Sequence, residues 1–133
     1  MLSEKNTFKK AERLKSRKLI ESLFNDGISI SHFPFKLIYK TGDLNDSQTN
    51  SKIAVSVSKR NFKRAVDRNY IKRKLRESFR KNKFPLYEFL QKNNQNAYFI
   101  VIYIAKEDMA YQNIEKNMKL LLNKLIKRLE LSK

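Results

Sequence analysis

The 133-residue chain has no cysteine and no tryptophan, a single histidine, two glycines and two prolines. Without cysteine there is neither a disulfide nor a thiolate metal ligand, an inventory that fits a reducing, cytoplasmic setting. The one histidine, His32, stands beside Phe33 and Pro34 in an expected turn, with no evident partner that would make it a general base. Acids are scarce. Asp43 and Asp46 fall in a polar loop, a weak setting for a metal. Glu107 and Asp108 are expected to open the last helix, where acids suit its positive end. None of the three long expected strands carries a carboxylate, so the converging acids of a metal nuclease are missing. There is no Walker loop and no zinc-ligand spacing. The longest apolar run, residues 97–105, has nine residues. A membrane helix needs about 20, and the first residues form no apolar signal segment. These absences leave the chain few groups for bond chemistry of its own. If it takes part in catalysis, a partner supplies the reacting groups.

What the chain has in excess is positive charge. Lys and Arg number 30 against 13 acids, for a net charge of +17 and a pI near 10.2. Such a chain repels itself when compact and calls for a polyanion. The charge is concentrated in residues 56–80, SVSKRNFKRAVDRNYIKRKLRESFR. Between positions 59 and 83 there are twelve Lys or Arg and only two acids, Asp67 and Glu77. From Arg64 onward the spacing is helical. Asn69, Lys72, Arg73, Arg76 and Arg80 share one face, while Ile71, Leu75, Ser78 and Phe79 lie roughly opposite. A helix buried on its apolar side would hold the guanidinium groups at fixed spacings. Arg grips phosphate in two places, whereas Lys acts as a point charge. Most charge runs are solvated faces of mixed sign; this face does not mix signs.

In chain order, residues 1–14 read as a basic N-terminal arm, pinned by Phe8. Residues 15–133 read as one domain, with 41% hydrophobic residues to build its core. Ser16 is an N-cap for a helix with an apolar stripe of Leu19, Ile20, Leu23 and Phe24. Gly27 sits where a left-handed C-cap belongs. Residues 28–31 are a short strand and residues 35–41 an alternating one, with Phe35, Leu37 and Tyr39 on one side. A polar hairpin loop over 42–51 leads to a strand at 52–58, with Ile53, Val55 and Val57 inward. After the basic helix, Leu86, Phe89 and Leu90 suggest a turn of helix. Residues 98–105 are apolar on both faces, hence a central strand. Ile114, Met118, Leu121, Leu122, Leu125 and Leu129 mark a last helix, for which core packing is preferred over a coiled coil. The fold class is α+β, a single domain of order αβββαβα with a mixed central sheet. Phe24 is weighed both as a base-stacking ring and as core, with core favoured on general grounds.

The stretch from Lys59 to Arg76 resembles the signature of the bacterial ribonuclease P protein subunit. Lys59-Arg60, Arg64-Ala65-Val66, Arg68-Asn69, Lys72-Arg73 and Arg76 match that pattern in spacing. Arg13-Leu14-Lys15 opens the first helix as in the family, residues 24–27 close it, and the order of elements agrees. Two departures stand out: Tyr70 replaces the second Arg of Arg-Asn-Arg, and Lys63 replaces a glycine. Ile20 and Ile38 stand where the family often has aromatics. The resemblance implies a protein that pairs with a large catalytic RNA and does no bond chemistry itself. The RNA, with bound Mg²⁺, removes the 5′ leader of precursor tRNA. It implies a left-handed crossover through the basic helix, against the usual hand. It assigns Lys59, Arg60, Arg68, Asn69, Lys72, Arg73 and Arg76 to the RNA subunit, and Arg64 and Arg80 of the basic stretch join them as candidates. Arg17, Phe24, Ile38, Lys59 and Lys106 are assigned to the leader. No metal held by the protein, no membrane and no obligate protein partner are expected.

Other readings remain. A ribosomal or RNA-chaperone protein would share the charge. A helix–turn–helix DNA binder is disfavoured because the basic helix lies between strands. A membrane-surface helix would need its apolar face free, and the sheet needs that face.

Overall fold

The computed structural model describes residues 12–42 and 51–131. The elements are α1 (Arg17–Asp26), β1 (Ile28–His32), β2 (Phe35–Thr41), β3 (Ser51–Val57), α2 (Ala65–Asn82), α3 (Phe84–Lys92), β4 (Ala97–Tyr103) and α4 (Tyr111–Leu131). The four strands form one mixed sheet in the order β1-β2-β4-β3. β4 is antiparallel to β2 and parallel to β3. The expected β2–β3 hairpin is therefore a correction: both strands pair with β4, which lies between them. The run of apolar residues in β4 explains its place, since Tyr98, Phe99, Ile100, Val101 and Tyr103 are all buried, on the two faces of the sheet.

Two cores result. On one face Phe35, Leu37, Tyr39, Ile53, Phe99, Val101 and Tyr103 pack under α2, α3 and α4. All six apolar positions read into α4 are buried there, so that helix is core and not half of a coiled coil. The turn suggested near Leu86 is the nine-residue helix α3, begun at Phe84-Pro85 and anchored by Leu86 and Leu90. Its presence makes the order αβββααβα. α4 starts at Tyr111, so Glu107 and Asp108 precede it and do not serve its first turn.

On the other face α1 covers Ile38, Tyr98 and Ile100 with Leu23, and leaves Ala54 and Ile102 only half-buried. Ser16 caps α1, its Oγ accepting from the Leu19 N–H at 3.2 Å. Gly27 ends the helix in extended conformation, φ −73°, ψ 161°, and not in the left-handed region. Its reason is space: a Cβ would lie 2.5 Å from Ile38 Cγ2 and 2.5 Å from the Leu23 carbonyl oxygen. Part of the arm joins the domain. Arg13 bridges to Ile53 in parallel, and the Leu14 N–H donates to the Ile53 carbonyl at 2.8 Å. These contacts occupy part of the outer edge of β3, which would otherwise be open to strand pairing. Phe8, Asp43 and Asp46 lie outside the described residues.

Candidate nucleic-acid interface

α2 is fixed by its apolar side. Ile71, Leu75, Ser78 and Phe79 are buried, and each large apolar side chain contributes about 1.5–3 kcal/mol by leaving water. Phe79 meets Phe99 of the sheet edge-on, ring centroids 5.8 Å apart. The opposite side carries Asn69, Lys72, Arg73 and Arg76. Asn69, Arg73 and Arg76 are exposed and Lys72 half-buried. Lys72 and Arg73 have no ion pair or hydrogen bond among the described residues. Asn69 to Arg76 is about 10 Å along a helix axis. Burial, and then the neighbouring charge of Arg13, push the Arg76 guanidinium down from its ordinary value. The arm thus brings a further cation, Arg13, towards the strip.

Three of the nine cationic-face candidates are already engaged. Arg80 donates twice to Glu77, Nε to Oε1 at 3.0 Å and Nη2 to Oε2 at 2.6 Å. That pair holds the Glu77 carboxyl below its usual range and raises Arg80. Arg80 is on the expected face, but its fork points at a carboxylate. Arg68 donates through Nη1 to the Phe62 and Lys63 carbonyls, 2.9 Å each. It pins the turn between β3 and α2, at the place where the usual glycine is Lys63. Arg64, the N-cap, lies 3.9 Å from Asp67.

The sheet direction gathers further cations. β3 and β4 are parallel, so Lys59-Arg60 after one and Lys106 after the other leave the sheet at the same edge. All three are exposed. The leader candidates separate. Arg17 is exposed on α1, and Phe24, seven residues on and hence on the same helical stripe, is 55% exposed, contrary to the general expectation of burial. Ile38 is 7% exposed beneath α1, close against Gly27, so little of its side chain stands open to solvent.

Two connections, the first of them buried, had no sequence signal, because their partners are far apart in the chain. Glu12 Oε1 accepts from Lys83 Nζ at 2.6 Å and from the Tyr87 hydroxyl at 2.5 Å. Glu12 and Lys83 are 4% and 6% exposed. Burial, then the bond to Glu12, push the Tyr87 phenol well above its usual range. Lys74 donates to Asp108 Oδ1 at 2.8 Å and to the Met109 carbonyl at 2.9 Å, tying α2 to the segment after β4. His32 meets the Asn117 side chain, Nε2 to Oδ1 at 3.0 Å, which gives it a structural partner. Among the described residues no group of three or more His, Cys, Asp or Glu could hold a metal ion. None of the described helices is long and apolar enough to cross a membrane.

Comparison with known proteins identifies the family and the fold. The family model described as Ribonuclease P matches residues 8–126. A ribonuclease P protein component of Porphyromonas gingivalis is 33% identical over 109 residues, 82% of this chain and 79% of the relative. One from Streptococcus gordonii is 34% identical over 110 residues, 83% and 82% of the two chains. The solved RNase P protein of Staphylococcus aureus superposes with a TM-score of 0.62 at 26% identity, over 86% of this chain and 94% of that one. The Thermotoga maritima RNase P protein, 23% identical, shares the fold with a TM-score of 0.65 over 85% and 96%. Because the match runs from before α1 through most of α4 and takes in the basic helix, the chain belongs to the ribonuclease P protein component family.

Proposed function

We propose that the α2 strip docks on the RNA subunit and that the half-open face beside α1 holds the single-stranded leader of precursor tRNA. The family role is that of the protein subunit of an endoribonuclease, acting with an RNA subunit in tRNA 5′ processing. The observation that carries the docking assignment is the exposed run of Asn69, Arg73 and Arg76 with Lys72, its cations in no ion pair among the described residues, on a helix fixed by four buried side chains. Lys59 and Arg60 extend it at the start of α2. Mg²⁺ chemistry belongs to the RNA in this reading. The protein's cations lower the number of metal ions needed to hold RNA against RNA. The protein works in the cytoplasm, where its RNA partner and substrate are. Purification from the host followed by sequencing of bound RNA tests the assignment: one structured RNA of several hundred nucleotides is expected, and ribosomal RNA would replace it with the ribosomal reading.

Phe24→Ala should reduce the preference for precursor over mature tRNA by about 1–3 kcal/mol, the worth of one stacked base. Because Phe24 is 55% exposed, the melting temperature should stay nearly constant. A large fall in melting temperature with the preference intact would return Phe24 to the core. Tyr70→Arg should keep or tighten affinity for the RNA subunit. Tyr70 is 51% exposed, and its ring receives the Lys74 ammonium at 4.5 Å, worth about 0.5–1 kcal/mol at such a site. A more than tenfold loss would mean that Tyr70 makes a contact arginine cannot replace.

A further inference from the structure

Three segments meet at the sheet edge where β2 begins and β3 and β4 end. They are the turn at Phe33-Pro34, the stretch through Lys59-Arg60 and the stretch from Ile104 to Met109. The Ile104 N–H donates to the Pro34 carbonyl at 2.8 Å, joining turn to strand end. Beside that bond is a cavity of about 490 Å³ lined by Phe33, Ile104, Ala105, Lys106, Glu107 and Met109. Phe33 is 66% exposed and Ile104 42%. Two large apolar side chains thus stand open to solvent at the edge where Lys59, Arg60 and Lys106 leave the sheet.

The wall opposite is built to stay in place. The Tyr103 hydroxyl donates to the Glu107 carbonyl at 2.6 Å and accepts from the Met109 N–H at 3.1 Å. Lys74 holds Asp108 and the Met109 carbonyl from α2. A cavity with an apolar interior, Lys106 in its lining and Lys59-Arg60 following the strand beside β4 suits a ligand that is flat and uncharged in the middle and anionic at both ends. A nucleotide in a single strand is such a ligand, its base between two phosphates. The one acid of the lining, Glu107, repels a phosphate placed inside but can accept from a base N–H.

Resting on the leader reading above, we propose that this cavity takes one unpaired base of the leader, stacked on Phe33 against Ile104, with flanking phosphates on Lys106 and on Lys59-Arg60. Phe24 is near the opposite end of β2, since Lys40 reaches Ser22 and Asp26 of α1 there. β2 has seven residues, so the two rings are separated by a distance on the order of 20 Å. They therefore read different nucleotides.

The test is a scan in which each leader nucleotide of a precursor tRNA is made abasic in turn. Binding to the holoenzyme is measured with the unchanged protein, Phe33→Ala and Phe24→Ala. Phe33→Ala should weaken binding of the intact precursor about 5- to 150-fold, the equivalent of one stacked base. One abasic position should cause the same loss and no further loss in Phe33→Ala, and that position should differ from the one coupled to Phe24. Phe33→Trp should retain binding. Phe33→Ala without effect, or with an equal effect on mature tRNA, overturns the proposal. So does a scan in which no position couples to Phe33. Coupling at Phe24 without coupling at Phe33 overturns this site alone; coupling at neither overturns the leader reading as well.

Discussion

Glu12→Ala should destabilise the protein by about 3–5 kcal/mol, the cost of breaking a buried ion pair by removing one partner. The substitution takes from the Lys83 ammonium, in a site 6% exposed, the carboxylate oxygen 2.6 Å away. It also takes the acceptor from the Tyr87 hydroxyl. At this chain length a loss of that size lowers the melting temperature by roughly 10 °C or more. Glu12→Gln should fall between, since an amide oxygen can still accept from Tyr87 but cannot neutralise Lys83. Glu12→Leu with Lys83→Met should recover most of the loss, because replacing both charges by apolar groups removes the desolvation cost together with the attraction. Thermal melts of the four proteins decide it. A Glu12→Ala variant within about 1 kcal/mol of the parent would mean that water reaches the pair and the arm is not latched.

Arg73→Ala combined with Arg76→Ala should weaken binding to the RNA subunit about a hundredfold or more at physiological salt, two charge-assisted contacts at about 1.5–3 kcal/mol each. The salt dependence is the sharper readout. Each phosphate contact contributes about 0.7–0.9 to the slope of log K against log [salt], so the double variant should be flatter by nearly two units. Arg80→Ala serves as contrast on the same helix. Its guanidinium is occupied by Glu77 at 2.6 and 3.0 Å, and its removal should flatten the slope by well under one unit. Glu77→Ala should steepen the slope by removing the carboxylate to which Arg80 donates twice. If the Arg73 and Arg76 double variant keeps the parental slope, the strip faces solvent in the complex.

Periodicity made most of the secondary structure legible. α2 and α4 bury the positions their spacing indicated, because a helix repeating every 3.6 residues has only one way to turn a stripe inward. The cationic face was legible for the same reason, and the family motif agreed with it. Pairing was less so. β2 and β3 are neighbours in sequence, and nothing local says that a strand from beyond residue 96 will separate them. Gly27 was misread because a glycine at a helix end has two uses, positive φ and close approach, and only the position of Ile38 distinguishes them. Arg80 and Glu77 were both visible in the sequence at i, i+3, yet the consequence for the basic face depends on which rotamers meet. The Glu12–Lys83 contact spans 71 positions, and single-sequence reasoning has no handle on such a pair.

The insertion of β4 between β2 and β3 also dictates when the molecule can become competent. A growing chain emerges from the ribosome with β1 and β2 able to zip together, whereas β3 has no strand beside it until residues 97–103 arrive. α2 is made before β4, but one of the surfaces it rests on, around Phe99, comes later. Loop closure of this range is slow compared with local helix formation. The strip on α2 is thus held against its full support only after the last strand has closed the sheet.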